Sequence, residues 1–493
     1  MRCVERYRRW FALGLVCLTT LMIVLDGTIV NVALPVIQED LGFSEANLAW
    51  VVNAYLLTFG GCMLLSGRLA DLLGRRRVLM TGIALFTLAS LVCGLANSQA
   101  VIVVARGVQG IGGSIVSSVS LSIVLVLFPR PAERARAMSV WGFVGSGGAS
   151  IGVIAGGLLT HAFNWHWIFL VNVPIGALAL LLARPLLPTA AGTGLGKGLD
   201  LGGTVAVIAA PVLAVYGIVN AGQAGWSSMV TLGCLAAALV TAGLFVLIER
   251  TVNTPLVPLG IFRSRTIVVT NVVTALSGAA FFGWFFFSAL YAQHVLGYDA
   301  LQTGLTFLPA TLTMGALSLG LAAWIVARLG PKTPLVVGMA LLSVGLVLFA
   351  RAPVNGAFLP DILVPMFLLG LGAGVSFMPL FLIATADVSL SQSGLVSGLI
   401  NTSQMIGGAL GLALLAGLAA ARTAAVLNAN VPPLEALNDG YHAALLLGAG
   451  LAAITAVLAA TQLRPQAERP QPPAWAELPA DEVEGGELVG AGR

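Results

Sequence analysis

Gly67-Arg68-Leu69-Ala70-Asp71-Leu72-Leu73-Gly74-Arg75-Arg76-Arg77 packs four arginines and one aspartate into eleven residues. Apolar segments flank it, Leu48–Ser66 before and Val78–Ala96 after. Each is long enough to cross a bilayer, which takes about 20 residues as a helix. The run is therefore a short basic turn between two membrane helices. Arginine-rich short loops stay on the cytoplasmic side, so this turn orients every other span.

Composition widens the same conclusion. Of 493 residues, 58% are hydrophobic and 9% are charged, against about 25% charged in a soluble domain. The apolar runs are continuous, not ten-residue alternations, which predicts an all-α polytopic membrane protein and not a barrel. The net charge of +4 sits in short loops, so no nucleic-acid partner is expected. Cys3, Cys17, Cys62, Cys93 and Cys234 form no CxxC and fall mostly within apolar runs. They read as small buried residues, with neither a metal site nor a disulfide framework. The basic Met1–Trp10 followed by apolar Phe11–Leu25 mimics a secretory leader. No small-x-small site follows, and the apolar pattern continues through Val36, so an uncleaved first span is expected. Lys197 and Lys332 are the only lysines; arginine, alanine and glycine bias points to a GC-rich bacterial genome.

Fourteen spans follow: 10–34, 48–66, 78–97, 100–127, 137–160, 167–183, 201–220, 227–248, 267–291, 302–327, 334–351, 361–383, 393–421 and 441–462. With the N-terminus inside, 21 of the 24 Lys and Arg residues fall on the cytoplasmic side. Arg351 and Arg422 lie outside, and Arg106 lies within a span. The asymmetry supports both the count and cytoplasmic N- and C-termini. The organisation is a six-helix bundle over residues 1–183, a linker with two extra helices over 184–266, and a second six-helix bundle over 267–462. Residues 463–493, rich in Pro, Glu and Ala, read as a disordered cytoplasmic tail. Arg328-Leu329-Gly330-Pro331-Lys332 echoes the opening turn at the equivalent place in the second half, without its aspartate. Such a repeat fits a transporter with its site between two halves.

Asp26 and Arg106 carry the chemical interest. Asp26 lies about eight residues from the outer end of span 1, and Arg106 about six from the outer end of span 4. At roughly 1.5 Å per residue their depths match. A charge so deep needs a partner or a cavity. Two uses stay open: a static ion pair that locks helix packing, or a titratable carboxylate whose proton affinity a guanidinium tunes. Gly148, Gly152 and Gly156, then Gly157, give span 5 a smooth face. That face is either an ordinary packing seam or a seam along which the halves rock. Asn31, Asn53, Tyr55, Gln109, Asn401 and Gln404 are candidates to line a cavity, each competing with a plain helix–helix hydrogen bond.

Other patterns fail. Gly110-x-Gly112 has no preceding strand, and Ile115 occupies the third glycine position of a nucleotide fingerprint. Ala191–Gly198 imitates a phosphate loop but lacks its first glycine and its Ser/Thr. His161, His166, His294 and His442 do not cluster in sequence, and no nucleophile–base constellation appears, so neither a metal nor an enzyme is expected.

Several motifs together resemble the major facilitator superfamily, in its fourteen-helix drug/proton antiporter branch. Gly67-x-Leu69-x-Asp71-x-x-Gly74-Arg75-Arg76 resembles the signature between helices 2 and 3. Leu25-Asp26-x-Thr28-Ile29-Val30-Asn31 and Arg106-x-x-Gln109-Gly110-x-Gly112 resemble its helix 1 and helix 4 motifs, and Trp165-x-Trp167-Ile168-Phe169-Leu170-x-Asn172-Val173-Pro174 resembles a stretch typical of the fourteen-helix branch. The chain departs from the pattern at Leu72, where a basic residue is common, at His166, where Arg is common, and at Val153, where proline usually follows the middle glycine of helix 5.

The resemblance implies a major-facilitator fold and alternating access. It implies export of hydrophobic or cationic drugs or antibiotics from a bacterial cytoplasmic (inner) membrane, driven by protons and without a cofactor. Arg106 would take part in proton coupling and Asp26 in protonation or cation binding. An endogenous metabolite as cargo, or proton-coupled uptake, is the alternative. A monomer in the lipid bilayer is expected. The opening turn gains a second expected role beyond anchoring. Asp71, with Gly67, Gly74, Arg75 and Arg76, forms a latch whose carboxylate meets the positive N-terminus of span 13 near Ser393.

Overall fold

The computed structural model describes residues 2–188, 194, 200–252, 254–386 and 390–463, and all regular structure among them is helical. The first group holds α1 (Arg2–Leu41), α2 (Glu45–Leu73), α3 (Arg75–Gly94), α4 (Gln99–Leu127), α5 (Pro131–Ala162), the short α6 (Trp167–Leu170) and α7 (Asn172–Leu186). A hairpin of α8 (Leu201–Ala224) and α9 (Met229–Thr251) follows. The second group holds α10 (Arg265–Leu290), α11 (Ala300–Thr306), α12 (Leu308–Ala316), α13 (Ala322–Leu329), α14 (Lys332–Phe349), α15 (Val364–Thr385), α16 (Leu390–Leu427) and α17 (Pro433–Gln462). The tail expected to be disordered and the phosphate-loop look-alike fall almost wholly outside the described residues.

The opening turn is tighter than a loop. Only Gly74 separates α2 from α3, at φ +92°, and its N–H donates to the Ala70 carbonyl at 3.1 Å. That backbone conformation favours glycine because it has no Cβ to clash. Here the end of the molecule that carries Gly74 is termed the basic end, and the opposite one the far end.

Thirteen helical segments among the described residues are long and apolar enough to cross a membrane. The expected tenth span, 302–327, is not one helix, and this corrects its boundaries. α11 stops at Thr306, α12 starts at Leu308, a π-turn occupies Leu317–Leu321, and α13 completes the crossing. Pro309 has no N–H to offer the carbonyl four residues back. Gly320 adopts φ +122°, ψ −15°, outside helical space. The three pieces together make the fourteenth crossing.

Within the first group α1 packs on α5 and α7, while α4 packs on α2 and α3. In the second group α10 packs on α16 and α17, and α14 on α15 and α17. The groups meet along two seams, α2 with α16 and α5 with α11 and α12. α8 lies against both α2 and α16. Its Ile208 fills the space beside Gly61, and a Cβ at Gly222 would lie 3.5 Å from the Gly417 Cα.

The glycine face of α5 lies mostly inside the first group, not between the halves. Gly148 abuts Leu21 and Val24, Gly152 abuts Leu25 and Thr28, and Gly156 abuts Ile29, all on α1. A Cβ at Gly156 would sit 2.9 Å from the Ile29 carbonyl oxygen, so the two backbones need glycine to approach this closely. Gly157 alone of the four crosses to the second group, where a Cβ would meet the Ala300 carbonyl oxygen at 2.7 Å. The cause is rotational. Residues four apart share a helix face, whereas the next residue turns by about 100°.

Candidate functional site

Asp26 stands near the middle of α1 with none of its surface exposed. Three side chains from two helices donate to it. Arg106, on α4, donates from one terminal guanidinium nitrogen to Asp26 Oδ2 at 2.6 Å. Gln109, one turn further along α4, donates from Nε2 to Asp26 Oδ1 at 2.7 Å. Asn172, the first residue of α7, donates from Nδ2 to the same oxygen at 3.1 Å. The carboxylate thus accepts three hydrogen bonds, one of them charge-assisted, which suits a charge removed from water.

The donors are themselves held. Arg106 donates Nε–H to the Val51 carbonyl on α2 at 3.0 Å and a terminal N–H to Gln109 Oε1 at 2.7 Å. Its guanidinium lies 4.3 Å from the centre of the Tyr55 ring and 5.8 Å from that of Phe169. Gln109 Nε2 also donates to Ser90 Oγ on α3 at 2.8 Å, and Cys93 Sγ lies 3.8 Å from Gln109 Oε1. Close approach of α2 and α4 makes this possible. A Cβ at Gly110 would sit on the Tyr55 carbonyl and on Thr58, and one at Gly113 would meet the Tyr55 hydroxyl at 2.9 Å. Thr58 Oγ1 donates to the Gly107 carbonyl at 2.7 Å and ties the two helices together.

The sequence-derived pair Asp26 and Arg106 is therefore in direct contact, and Gln109 and Tyr55 belong to the same cluster. The other candidates do not. Asn31 donates to the Gly27 carbonyl of its own helix at 3.0 Å, and Asn401 to the Ser397 carbonyl of its own at 2.9 Å. Gln404 is mostly buried, and its backbone carbonyl lies against Gly278 of α10. Asn53 is fully buried with neither amide atom hydrogen-bonded. It lies two turns from Gly60, which packs on Met405 of α16. Asp71 lies 3.8 Å from Arg75, with 60% of its side chain exposed. The side chains around Ser393 that the latch requires are outside the described set.

Asn172, Ser90 and Cys93 join the site without having been expected there. Asn172 is placed by a helix break. Pro174 has no N–H for the Leu170 carbonyl, α6 ends at Leu170, and α7 restarts at Asn172. The adjoining Trp165 donates Nε1–H to Asp40 on α1 at 2.8 Å, and its ring stacks on His166 at 3.7 Å.

At the far end the two groups are in contact above this cluster. Gln293 Nε2 donates to the Val32 carbonyl of α1 at 2.7 Å. Gly304 of α11 crosses α5 beside Gly157, and a Cβ there would lie 2.8 Å from the Val153 carbonyl oxygen. His161 Nδ1 lies 3.7 Å from Asp299 Oδ2, and Asp299 also caps α11. Among the described residues no group of three His, Cys, Asp or Glu side chains is placed to hold a metal.

The sequence profile described as Major Facilitator Superfamily matches residues 16–412. The chain belongs to the major facilitator superfamily. Similar members include the puromycin resistance protein pur8 of Streptomyces alboniger, 37% identical over 92% of this chain and 91% of that one. The cephamycin export protein CmcT of Amycolatopsis lactamdurans is 36% identical over 82% and 84%. The lincomycin resistance protein of Streptomyces lincolnensis is 33% identical over 93% and 92%. Among solved structures, the human organic anion transporter MFSD10 matches with a TM-score of 0.61 at 18% identity, over 92% of this chain and 99% of that one. An auto-inhibited POT family peptide transporter matches at 0.65 and 16%, over 93% and 98%. Both likenesses are of the fold alone; the superfamily match and the long apolar helices make this chain a multi-pass helical membrane protein.

Proposed function

We propose that this protein exports hydrophobic or cationic drugs or antibiotics from a bacterial cell, by alternating access, in exchange for protons. The observation that carries the proposal is Asp26, a fully buried carboxylate ringed by Arg106, Gln109 and Asn172 directly beneath the contacts at the far end. Relatives named for resistance to, or export of, puromycin, cephamycin and lincomycin support the direction and the class of cargo. The basic end is cytoplasmic, because Arg68, Arg75, Arg76 and Arg77 gather there, and the protein acts as a single chain in the cytoplasmic membrane.

In the cycle, the far end opens and a proton from outside reaches Asp26. Cargo leaves, the groups rock, and the proton departs at the basic end. Each proton supplies about 2.3 kcal/mol per 100 mV, so one or two sustain a useful gradient without ATP. Drug-sensitive cells expressing the protein should survive puromycin and lincomycin and should lose that protection with a protonophore. Proteoliposomes with an imposed pH gradient should move puromycin out against protons. Uptake of puromycin with the protons would replace export by symport. Full active export by Asp26→Asn would remove Asp26 from coupling.

A further inference from the structure

Among the described residues Asn172 is the one ligand of Asp26 whose orientation nothing else fixes. We propose that Asn172 is a positioning residue that turns its amide over when Asp26 takes up a proton, donating to the charged carboxylate and accepting from the neutral acid. The inference rests on proton coupling through Asp26, as proposed above.

Gln109 is not free to do this. Its Oε1 accepts from Arg106 at 2.7 Å while its Nε2 donates to Ser90 at 2.8 Å, so reversal would turn its NH2 toward a guanidinium. Arg106 is pinned by the Val51 carbonyl and offers only donors. Asn172 differs. Its Nδ2 donates to Asp26 Oδ1, but its own Oδ1 is buried without a hydrogen-bond partner.

A carboxylate only accepts, and here it meets three donors. Adding a proton to Oδ1 creates an O–H that faces Gln109 Nε2–H and Asn172 Nδ2–H, with no acceptor. Turning the Asn172 amide by about 180° presents its free carbonyl to that O–H. The step balances: one proton from water adds to Oδ1, the carboxylate becomes neutral, and Arg106 keeps Oδ2. No other covalent bond changes. One end of the amide is bonded and the other is not in both states, so the turn itself is nearly neutral.

The titratable and charged groups around Asp26 are Arg106 from α4, Tyr55 from α2 and Cys93 from α3. α7 contributes the neutral Asn172, and α5 faces this part of α1 with Gly148 and Gly152. Of these, Tyr55 also has a hydroxyl without a hydrogen-bond partner, but that hydroxyl makes no hydrogen bond to Asp26, whereas Asn172 is already bonded to the oxygen that takes the proton.

The test is an infrared pH titration of the whole protein in lipid nanodiscs, with protons as the only probe. The Asp26 carboxyl band is assigned by its loss in Asp26→Asn. Asn172→Leu removes one of three donors from the charged form but the sole acceptor from the neutral form. Its midpoint should therefore move to lower pH by about one unit, a tenfold weaker proton affinity. The carboxyl stretch should also rise in frequency. Asn172→Ser, whose hydroxyl can donate or accept, should titrate close to the unmodified protein.

In protein carrying isotope-labelled asparagine, an amide carbonyl band should shift with the same midpoint as the carboxyl band and vanish in Asn172→Ser. A midpoint that stays, or moves to higher pH, overturns the proposal, since a packing role predicts the first and a donor-only role the second. If Asn172→Leu does not fold, the absence of a titrating amide band in the labelled protein overturns it equally. An unmodified protein with no titrating Asp26 band would sink proton coupling itself, and this inference with it.

Discussion

Arg106 holds Asp26 at 2.6 Å while its Nε–H is bound to the carbonyl of Val51 on a third helix, so one guanidinium joins α1, α2 and α4. Removing it leaves a carboxylate buried without its counter-ion. Arg106→Ala should cost about 3–5 kcal/mol. The same change in an Asp26→Asn background should cost less, because no charge is then stranded. Denaturation of the four variants in one detergent gives the coupling between the two residues, expected to exceed about 1 kcal/mol. A coupling near zero would mean that packing, not charge, explains the loss.

Arg106→Lys tests the geometry separately from the charge. Lysine retains the cation but loses the planar fork that serves Asp26, Gln109 and Val51 together. Puromycin export in proteoliposomes should fall by at least about tenfold, the rate equivalent of one lost hydrogen bond to a charged group. Transport at the unmodified rate would show that a point charge is enough.

The crossing of Gly157 and Gly304 leaves no room for a side chain on either helix. Gly304→Val should wedge the far end apart. In a background with the native cysteines replaced, a single cysteine at Asn31 should react faster with an impermeant maleimide added from outside. An unchanged labelling rate would place the opening elsewhere.

Gly320 sits at φ +122° in the broken tenth crossing. A side chain there is strained, and Gly320→Ala should lower stability by about 1–2 kcal/mol, read as a drop in melting temperature. An increase would mean that the helix straightens in the variant.

Asp71 and Arg75 form an exposed pair at 3.8 Å, of a kind that contributes about 0–1 kcal/mol. Asp71→Asn should therefore leave the melting temperature nearly unchanged. If the basic turn is a latch as well as an anchor, the same variant should still slow puromycin export. Equal rates would leave the anchor alone.

Depth and side were legible in the sequence; rotation about each helix axis was not. The arginines of Gly67–Arg77 set the orientation, and counting residues to the span ends put Asp26 and Arg106 at one level. Their contact follows from that level together with a helix face that only packing fixes. Gly148, Gly152 and Gly156 show the limit: their spacing announces a smooth face, but nothing in the spacing says that α1 covers it. Asn172 was hidden for another reason. It lies near the start of an apolar run, and only the interruption before Pro174 turns it toward Asp26. The broken tenth crossing was masked by uniform hydropathy, since Pro309 and Gly320 change backbone direction without changing polarity.

The α8–α9 hairpin gives the molecule two unlike flanks. On one, α8 spans the line where α2 meets α16 and roofs it over from Gly61 to Gly417. On the other, α5 meets α12 with no such cover among the described residues, and Ile151, Leu158 and Leu312 present more than half of their surface outward. The line along which the two groups meet is thus walled by a helix on one flank and, among the described residues, bare on the other.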